Sequence, residues 1–243
     1  MRKTRDFLKS NWKEIENTDR QKGLKKPPIE KPYNEKDKII NLPSFEEFNS
    51  LGNVNLTNVI LNRRSRRSFS DSPLTLKELS FLLWSTQGVK KYIPDKEVVF
   101  RTVPSAGACH PFETYLVINN VEGLEKGIYR YLSLEHKLFL IKPGDFSKDV
   151  IDATLGQQFV GKSAVVFTWA AIPYRTEWKY AQESYKAIAL DAGHICQNLY
   201  LSAEAINCGT CAVAAYDQEK MDKLIGVDGI DEFVVYLAPV GKI

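Results

Sequence analysis

Residues 184–206 contain no proline and carry apolar side chains around much of a helical circumference. One long helix is predicted there, too apolar to face solvent and therefore buried in a core or a subunit interface. A chain organised on such a helix needs a sheet or further helices to cover it. Strands are predicted at 113–119, 127–133 and 138–141, a possible meander, and again at 163–171 and 232–240. The 163–171 segment is continuously apolar and rich in β-branched and aromatic residues, as a central strand should be. Thr57 is placed to cap a helix through Val59, Ile60 and Leu61. Thr75 and Glu78 have capping-box spacing ahead of Leu76, Leu79, Leu82 and Leu83, with Gly88 beyond the end. A shorter helix is predicted over 217–225, stopped by Gly226. This order does not alternate as in a doubly wound fold, so the predicted class is α+β.

Residues 1–45 differ from the rest. They are rich in Lys and Glu, and Pro27, Pro28, Pro32 and Pro43 interrupt regular structure. They read as an extended N-terminal arm with a short helix over 5–16, ahead of a domain spanning 46–243 whose compact part can begin near Leu56. The 243 residues suit one sizeable core, and 44% hydrophobic with 26% charged residues is ordinary for a soluble globular chain. The dense apolar runs 79–84 and 164–172 fall far short of the roughly 20 residues that span a bilayer. The charged first twelve residues lack an apolar signal core, so a cytoplasmic protein with four reduced cysteines is expected. A net charge of +3 does not suggest a dedicated nucleic-acid binder.

Four segments carry chemistry. Arg63-Arg64-Ser65-Arg66-Arg67 places four guanidinium groups and a hydroxyl within five residues, a cradle matched to phosphate oxygens; a solvated basic patch is the competing reading. Pro104-Ser105-Ala106-Gly107-Ala108, just before a strand, lets a planar ligand approach the backbone, although a plain turn would look the same. Cys208 and Cys211 form a lone CxxC, read as buried thiols near a helix end, because two cysteines complete no zinc site. Lys179 and Tyr180 can move protons, but as chain neighbours they need an irregular segment to face one site. His110, near the small-residue loop, reads as the more exposed histidine, and His194, in the long helix, as a core or interface residue. No metal set is present, and no GxGxxG or P-loop suggests a Rossmann-held nicotinamide.

Taken in order, these segments resemble the nitroreductase superfamily and, within it, the SagB-type dehydrogenases. Arg63-x-Ser65-x-Arg67 followed by Phe69 is similar to the superfamily's N-terminal signature. Pro104 to Ala108 with Pro111, Glu113 and Tyr115 resembles a SagB-type run. Trp178-Lys179-Tyr180, Tyr185 and the stretches 190–194, 197–200 and 236–241 match the same subgroup.

The resemblance implies a mixed, mostly antiparallel sheet flanked by helices in an intertwined homodimer, with FMN at the interface. It places Arg63, Arg64, Ser65 and Arg67 on the phosphate and ribityl chain, Pro104, Ser105, Ala106 and Gly107 along the flavin ring, Ala214 and Ala215 near its N5 edge, and Lys242 near the phosphate. Ala108 and Ala214 stand where many relatives carry Asn and Glu, which removes two side-chain contacts. The implied activity is ping-pong electron transfer from NADH or NADPH to a nitroaromatic, quinone or similar small acceptor. Azoline dehydrogenation of a modified peptide, with Lys179 and Tyr180 as the catalytic pair inside a peptide-modifying complex, is the alternative. A non-catalytic flavin carrier or partner-binding protein is the third reading.

Overall fold

The computed structural model describes residues 3–10, 12–34 and 38–243. Its strands are β1 (Ile39–Asn41), β2 (Val89–Ile93), β3 (Val98–Arg101), β4 (Phe112–Ile118), β5 (Gly127–Leu132), β6 (Lys137–Pro143), β7 (Val165–Ala171), β8 (Cys208–Thr210) and β9 (Phe233–Lys242). Its α-helices are α1 (Phe45–Phe48), α2 (Leu56–Asn62), α3 (Leu76–Gln87), α4 (Ser147–Ala153), α5 (Gln158–Gly161), α6 (Tyr174–Tyr180), α7 (Ser184–Ala205) and α8 (Gln218–Ile225). Seven strands form one sheet in the order β1-β6-β5-β4-β7-β9-β8, and β2-β3 is a separate hairpin. Every ladder in the large sheet is antiparallel, while Ser65 joins Thr210 beside it through a single parallel bridge.

Period-two alternation in β4 and β7 sets the layers. Leu116, Ile118, Val165, Phe167 and Trp169 face a core shared with α3 and α7. Tyr115, Val117, Val166 and Ala170 face the opposite way, onto Val150 of α4, Val160 of α5 and Met221 of α8. Both faces are covered, which is why every residue of β4, β5 and β7 is buried. A bulge in β9 pairs Trp169 with Tyr236 but Ala170 with Val234, leaving Val235 as the extra residue. The inserted residue puts Val234 and Leu237 on one face and Ala238 and Val240 on the other.

The α+β class, the meander and the central strand agree with the sequence reading. The α3 capping box forms as expected, with both Thr75 and Glu78 engaged. The cap of α2 is Asn55, not Thr57: its side-chain oxygen accepts the Asn58 N–H at 3.2 Å. The expected helix over 5–16 is two short 3₁₀ turns, Lys3–Leu8 and Trp12–Glu14. Met1, Arg2, Asn11 and residues 35–37 of the expected arm lie outside the described residues. Inside the arm, β1 pairs with β6, so the sheet begins before residue 46. No helix among the described residues is long and apolar enough to cross a membrane.

A polar network fastens the arm to the sheet. The Lys31 N–H donates to Glu113 at 2.9 Å, and the Lys31 ammonium reaches the Tyr115 hydroxyl and Glu232. Glu30 accepts bonds from Ser133 and from the Leu134 N–H, while burial pushes its carboxyl above the usual range and the Glu113 charge adds to that. Arg130 donates to the carbonyls of Lys31 and Pro32. Arg175 of α6 binds Glu113 at 2.6 Å and the Pro28 carbonyl at 2.8 Å, with both partners of the ion pair 3% exposed. Glu113→Ala would strand a buried guanidinium, a defect that typically costs about 3–5 kcal/mol. Urea unfolding should show a loss of that size; a loss under about 1 kcal/mol would mean that water replaces the carboxylate.

Candidate active site

The arginine cluster leaves the end of α2 and runs beside β8. Arg66 is committed to the protein: its N–H donates to the Thr210 carbonyl and its guanidinium pairs with Glu204 at 3.1 Å. The other three differ. Arg63 lies 5.2 Å over the Tyr200 ring, Arg67 lies 5.8 Å from the Phe159 ring centre, and Arg64 is exposed. Among the described residues no carboxylate is paired with Arg63, Arg64 or Arg67. Ser65 Oγ sits 2.8 Å from the Tyr200 hydroxyl, which itself accepts the Ala212 N–H.

The small-residue loop is anchored elsewhere on α7. Asp191 accepts bonds from Ser105 Oγ and, at 3.1 Å, from the Ala106 N–H, and the Ser105 oxygen in turn takes the His110 N–H. Burial raises the Asp191 carboxyl above its usual range, and those hydrogen bonds pull it back. Gly107 has φ +58°, and a Cβ there would collide with the Tyr180 hydroxyl and the Lys179 ammonium. Lys179 Nζ donates to the Gly107 carbonyl at 3.0 Å. The segment carrying the pair is therefore helical rather than irregular. Both side chains reach one glycine because α6 stops at Tyr180, where Ala181 takes φ +46°.

Ala214 and Ala215 are exposed, and the Ala215 carbonyl accepts a bond from Gln157. Lys242 is paired with Glu78 of the α3 capping box, so its charge is already partnered. His110, expected to be the more exposed histidine, is 5% exposed, and the His194 side chain is half exposed in the single chain and 4.0 Å from Asp191. Cys208 and Cys211 are buried free thiols, and burial pushes Cys208 up to about 12. Among the described residues no group of three or more His, Cys, Asp or Glu is placed to hold a metal. Asp191, Tyr200 and Arg175 were not singled out from sequence. A carboxylate inside an otherwise apolar helix was the available signal for Asp191; Arg175 offered none.

Within one chain the two halves stay apart. Asp191 and Tyr200 are nine residues apart on α7, about 13 Å along the axis and roughly half a turn around it. The face between them exposes Leu190, Gly193, His194 and Gln197, and α2 beside it exposes Leu56, Ile60 and Leu61. The donor set nevertheless fits FMN. Three guanidinium groups without carboxylate partners and one hydroxyl suit a single phosphate.

The mostly antiparallel sheet flanked by helices is a fold of the nitroreductase type. The nitroreductase family model matches residues 60–242, and the chain belongs to that family. A provisionally named nitroreductase of Methanocaldococcus jannaschii is 34% identical over 203 residues, covering 84% of this chain and 96% of the relative. The chain spans only 54% of another relative, the trifolitoxin operon protein TfxC of Rhizobium leguminosarum bv. trifolii, at 26% identity over 75% of this chain. A provisionally named nitroreductase structure from Ralstonia eutropha superposes with a TM-score of 0.69 at 23% identity, covering 90% of this chain and 98% of that one. The E. coli microcin synthetase McbBCD complex with truncated pro-MccB17 bound gives 0.62 at 22%, covering 79% and 73%.

The buried histidine makes a pH prediction. Burial, with the charges of Arg101 and Arg175, pushes the His110 imidazole down to about 3. The unfolded chain takes up a proton there near pH 6.5, so stability present above that pH is lost as pH falls towards 3, by at most about 1.4 kcal/mol per pH unit. His110→Asn, tolerated at φ +47°, should lose less stability than the parent between pH 7 and pH 5. Equal losses would show that the imidazole is not the titrating group.

Proposed function

We propose that this chain is a cytoplasmic FMN-dependent oxidoreductase, working as a homodimer and passing electrons from NADH or NADPH in ping-pong fashion to a nitroaromatic, quinone or similar small acceptor. The observation that carries this reading is the cradle of Arg63, Arg64 and Arg67 beside Ser65, without a carboxylate partner among the described residues, which suits the phosphate of a flavin mononucleotide. The homodimer reading rests on the division of the half-sites. A two-fold partner packed on the exposed face of α7 would set the loop of one subunit against the arginine cradle of the other.

FMN, when bound, would supply the hydride chemistry. Arg63, Arg64, Arg67 and Ser65 would hold the phosphate and ribityl chain, with Arg63 kept in place by Tyr200. Pro104, Ser105, Ala106 and Gly107 would line the ring, their backbone fixed through Asp191. Ala214 and Ala215 would offer backbone to the N5 edge. Lys242, held by Glu78, would contribute charge near the phosphate rather than a direct bond. Heat-released cofactor should chromatograph as FMN, one per subunit. Arg67→Ala should weaken its binding about tenfold or more, since a charge-assisted bond is worth about 1.5–3 kcal/mol. FAD, no flavin, or unchanged occupancy after dialysis of the variant would count against the cradle.

Azoline dehydrogenation of a modified peptide is the second reading, favoured by the meeting of Lys179 and Tyr180 at Gly107. A Lys side chain acting as its free amine, beside a Tyr hydroxyl, can accept and pass on the proton that leaves carbon when a ring is oxidised. The peptide-modifying complex belongs to this reading. Stopped-flow reduction of Lys179→Ala and Tyr180→Phe separates the two. A hundredfold loss confined to azoline peptides supports the dehydrogenase, within the range of about 10²–10⁴ for a positioned acid or base. Near-parental rates with every substrate remove the pair from the chemistry.

A further inference from the structure

A cavity of about 270 Å³ opens beside Gly107 and Lys179. Arg20, Lys26, Lys96, Arg175 and Lys179 line it, and no carboxylate is among its lining residues. The Lys26 and Lys179 ammoniums donate to the backbone carbonyls of Glu97 and Gly107, neutral acceptors, and the Glu97 carboxylate acts on Lys26 through charge without an ion-pair contact. Glu113 takes Nη2 of Arg175, which is 4% exposed and so adds its charge from behind the cavity wall. Like charges packed this closely repel one another unless an anion lies among them. Burial lowers the Lys26 pKa; Glu97 and Cys109 oppose that, while Lys179 and Arg20 add to it. Val98, Ala108 and Trp178 form an apolar wall.

We propose that this cavity is an oxyanion subsite, seating the carboxylate or phosphate of a substrate with a flat apolar body beside Lys179. This deepens the oxidoreductase reading and rests on it for the role of Lys179. Two of the five cations come from the N-terminal arm. The Arg20 N–H donates to the Trp178 carbonyl and Trp178 Nε1 to the Leu24 carbonyl, both at 2.9 Å, which holds those charges against α6. Arg20 and Lys26 lie outside the residues matched by the family model, and Lys96, Arg175 and Lys179 lie within them.

Isothermal titration of the full-length protein tests this with benzoate, benzamide and inorganic phosphate. Benzoate should bind at least about tenfold more tightly than benzamide, the effect of one charge-assisted contact. Lys26→Gln with Lys96→Gln, both at exposed or half-buried positions, should remove about that preference. Phosphate displacing benzoate in the parent but not in the double variant, with a lower KM for NADPH than NADH, assigns the oxyanion to the donor. Benzoate binding unaffected by phosphate assigns it to a carboxylated acceptor. Equal affinity for benzoate and benzamide, or a double variant that binds like the parent, overturns the subsite. Absence of flavin would sink the oxidoreductase reading alone, because the titration can be read without it.

Discussion

The buried pair between Glu113 and Arg175 is the contact on which the arrangement of the site depends. Glu113 stands in β4, the most interior part of the sheet, and Arg175 in the first turn of α6. The same guanidinium holds the Pro28 carbonyl, and the same carboxylate oxygen takes the Lys31 N–H. Sheet, arm and α6 therefore share one desolvated pair. Two ions removed from water are tolerated only where their hydrogen bonds are largely met. Here the arm supplies part of that satisfaction through its main chain, so its docking and the pose of α6 are one event. Because α6 ends at Tyr180, its pose sets where Lys179 and Tyr180 lie.

The long helix plays the complementary role. Its buried face packs under the sheet through Ile188, Ile195 and Leu199, and its two flanks carry the anchors of the half-sites. Asp191 fixes the backbone of the glycine loop, and Tyr200 fixes Ser65 and stacks under Arg63. A charge in the core of an apolar helix is costly unless fully bonded, and Ser105 and Ala106 provide that bonding. The face left over, with Leu190, Gly193, His194 and Gln197, mixes apolar and polar groups and is closely approachable at Gly193. One helix thus serves as core element, scaffold for two binding segments and candidate contact surface.

Much of this was legible in the sequence, for identifiable reasons. Period and composition located β4, β5, β7 and α7 because those elements are buried enough that local pattern and tertiary demand coincide. The Thr75–Glu78 box and Gly226 were legible as local hydrogen-bond chemistry. Elements with weak patterns were not: the β2–β3 hairpin reads VKKYI and VVFR, charged residues set among apolar ones without a clean alternation, and α6 looks like an aromatic loop. Asn55 and Thr57 are both competent caps, and only the chain's entry direction chooses between them. His110 was misjudged because exposure depends on what packs on a loop. His110 lies beneath Arg101 and Arg175, neither of which adjoins it in sequence.

Charge is the property that composition conceals most. A net of +3 over 243 residues suggests no strongly directed field, and several surface lysines show part of the reason. Lys38, Lys126, Lys137 and Lys220 each meet a surface carboxylate in pairs worth little individually. The excess is not spread evenly. It gathers at Arg63, Arg64 and Arg67 on one flank of α7, and at Arg20, Lys26, Lys96, Arg175 and Lys179 around the cavity beside Gly107. In both places the nearby hydrogen-bond partners are hydroxyls, carbonyls and aromatic faces, with Glu113 the carboxylate that reaches in. Unlike surface pairs, such groups keep their field for a ligand, and a low-dielectric wall such as Trp178 strengthens it. Attraction for anions is therefore concentrated at the glycine loop and at the cradle, the two segments that the half-sites bring into use.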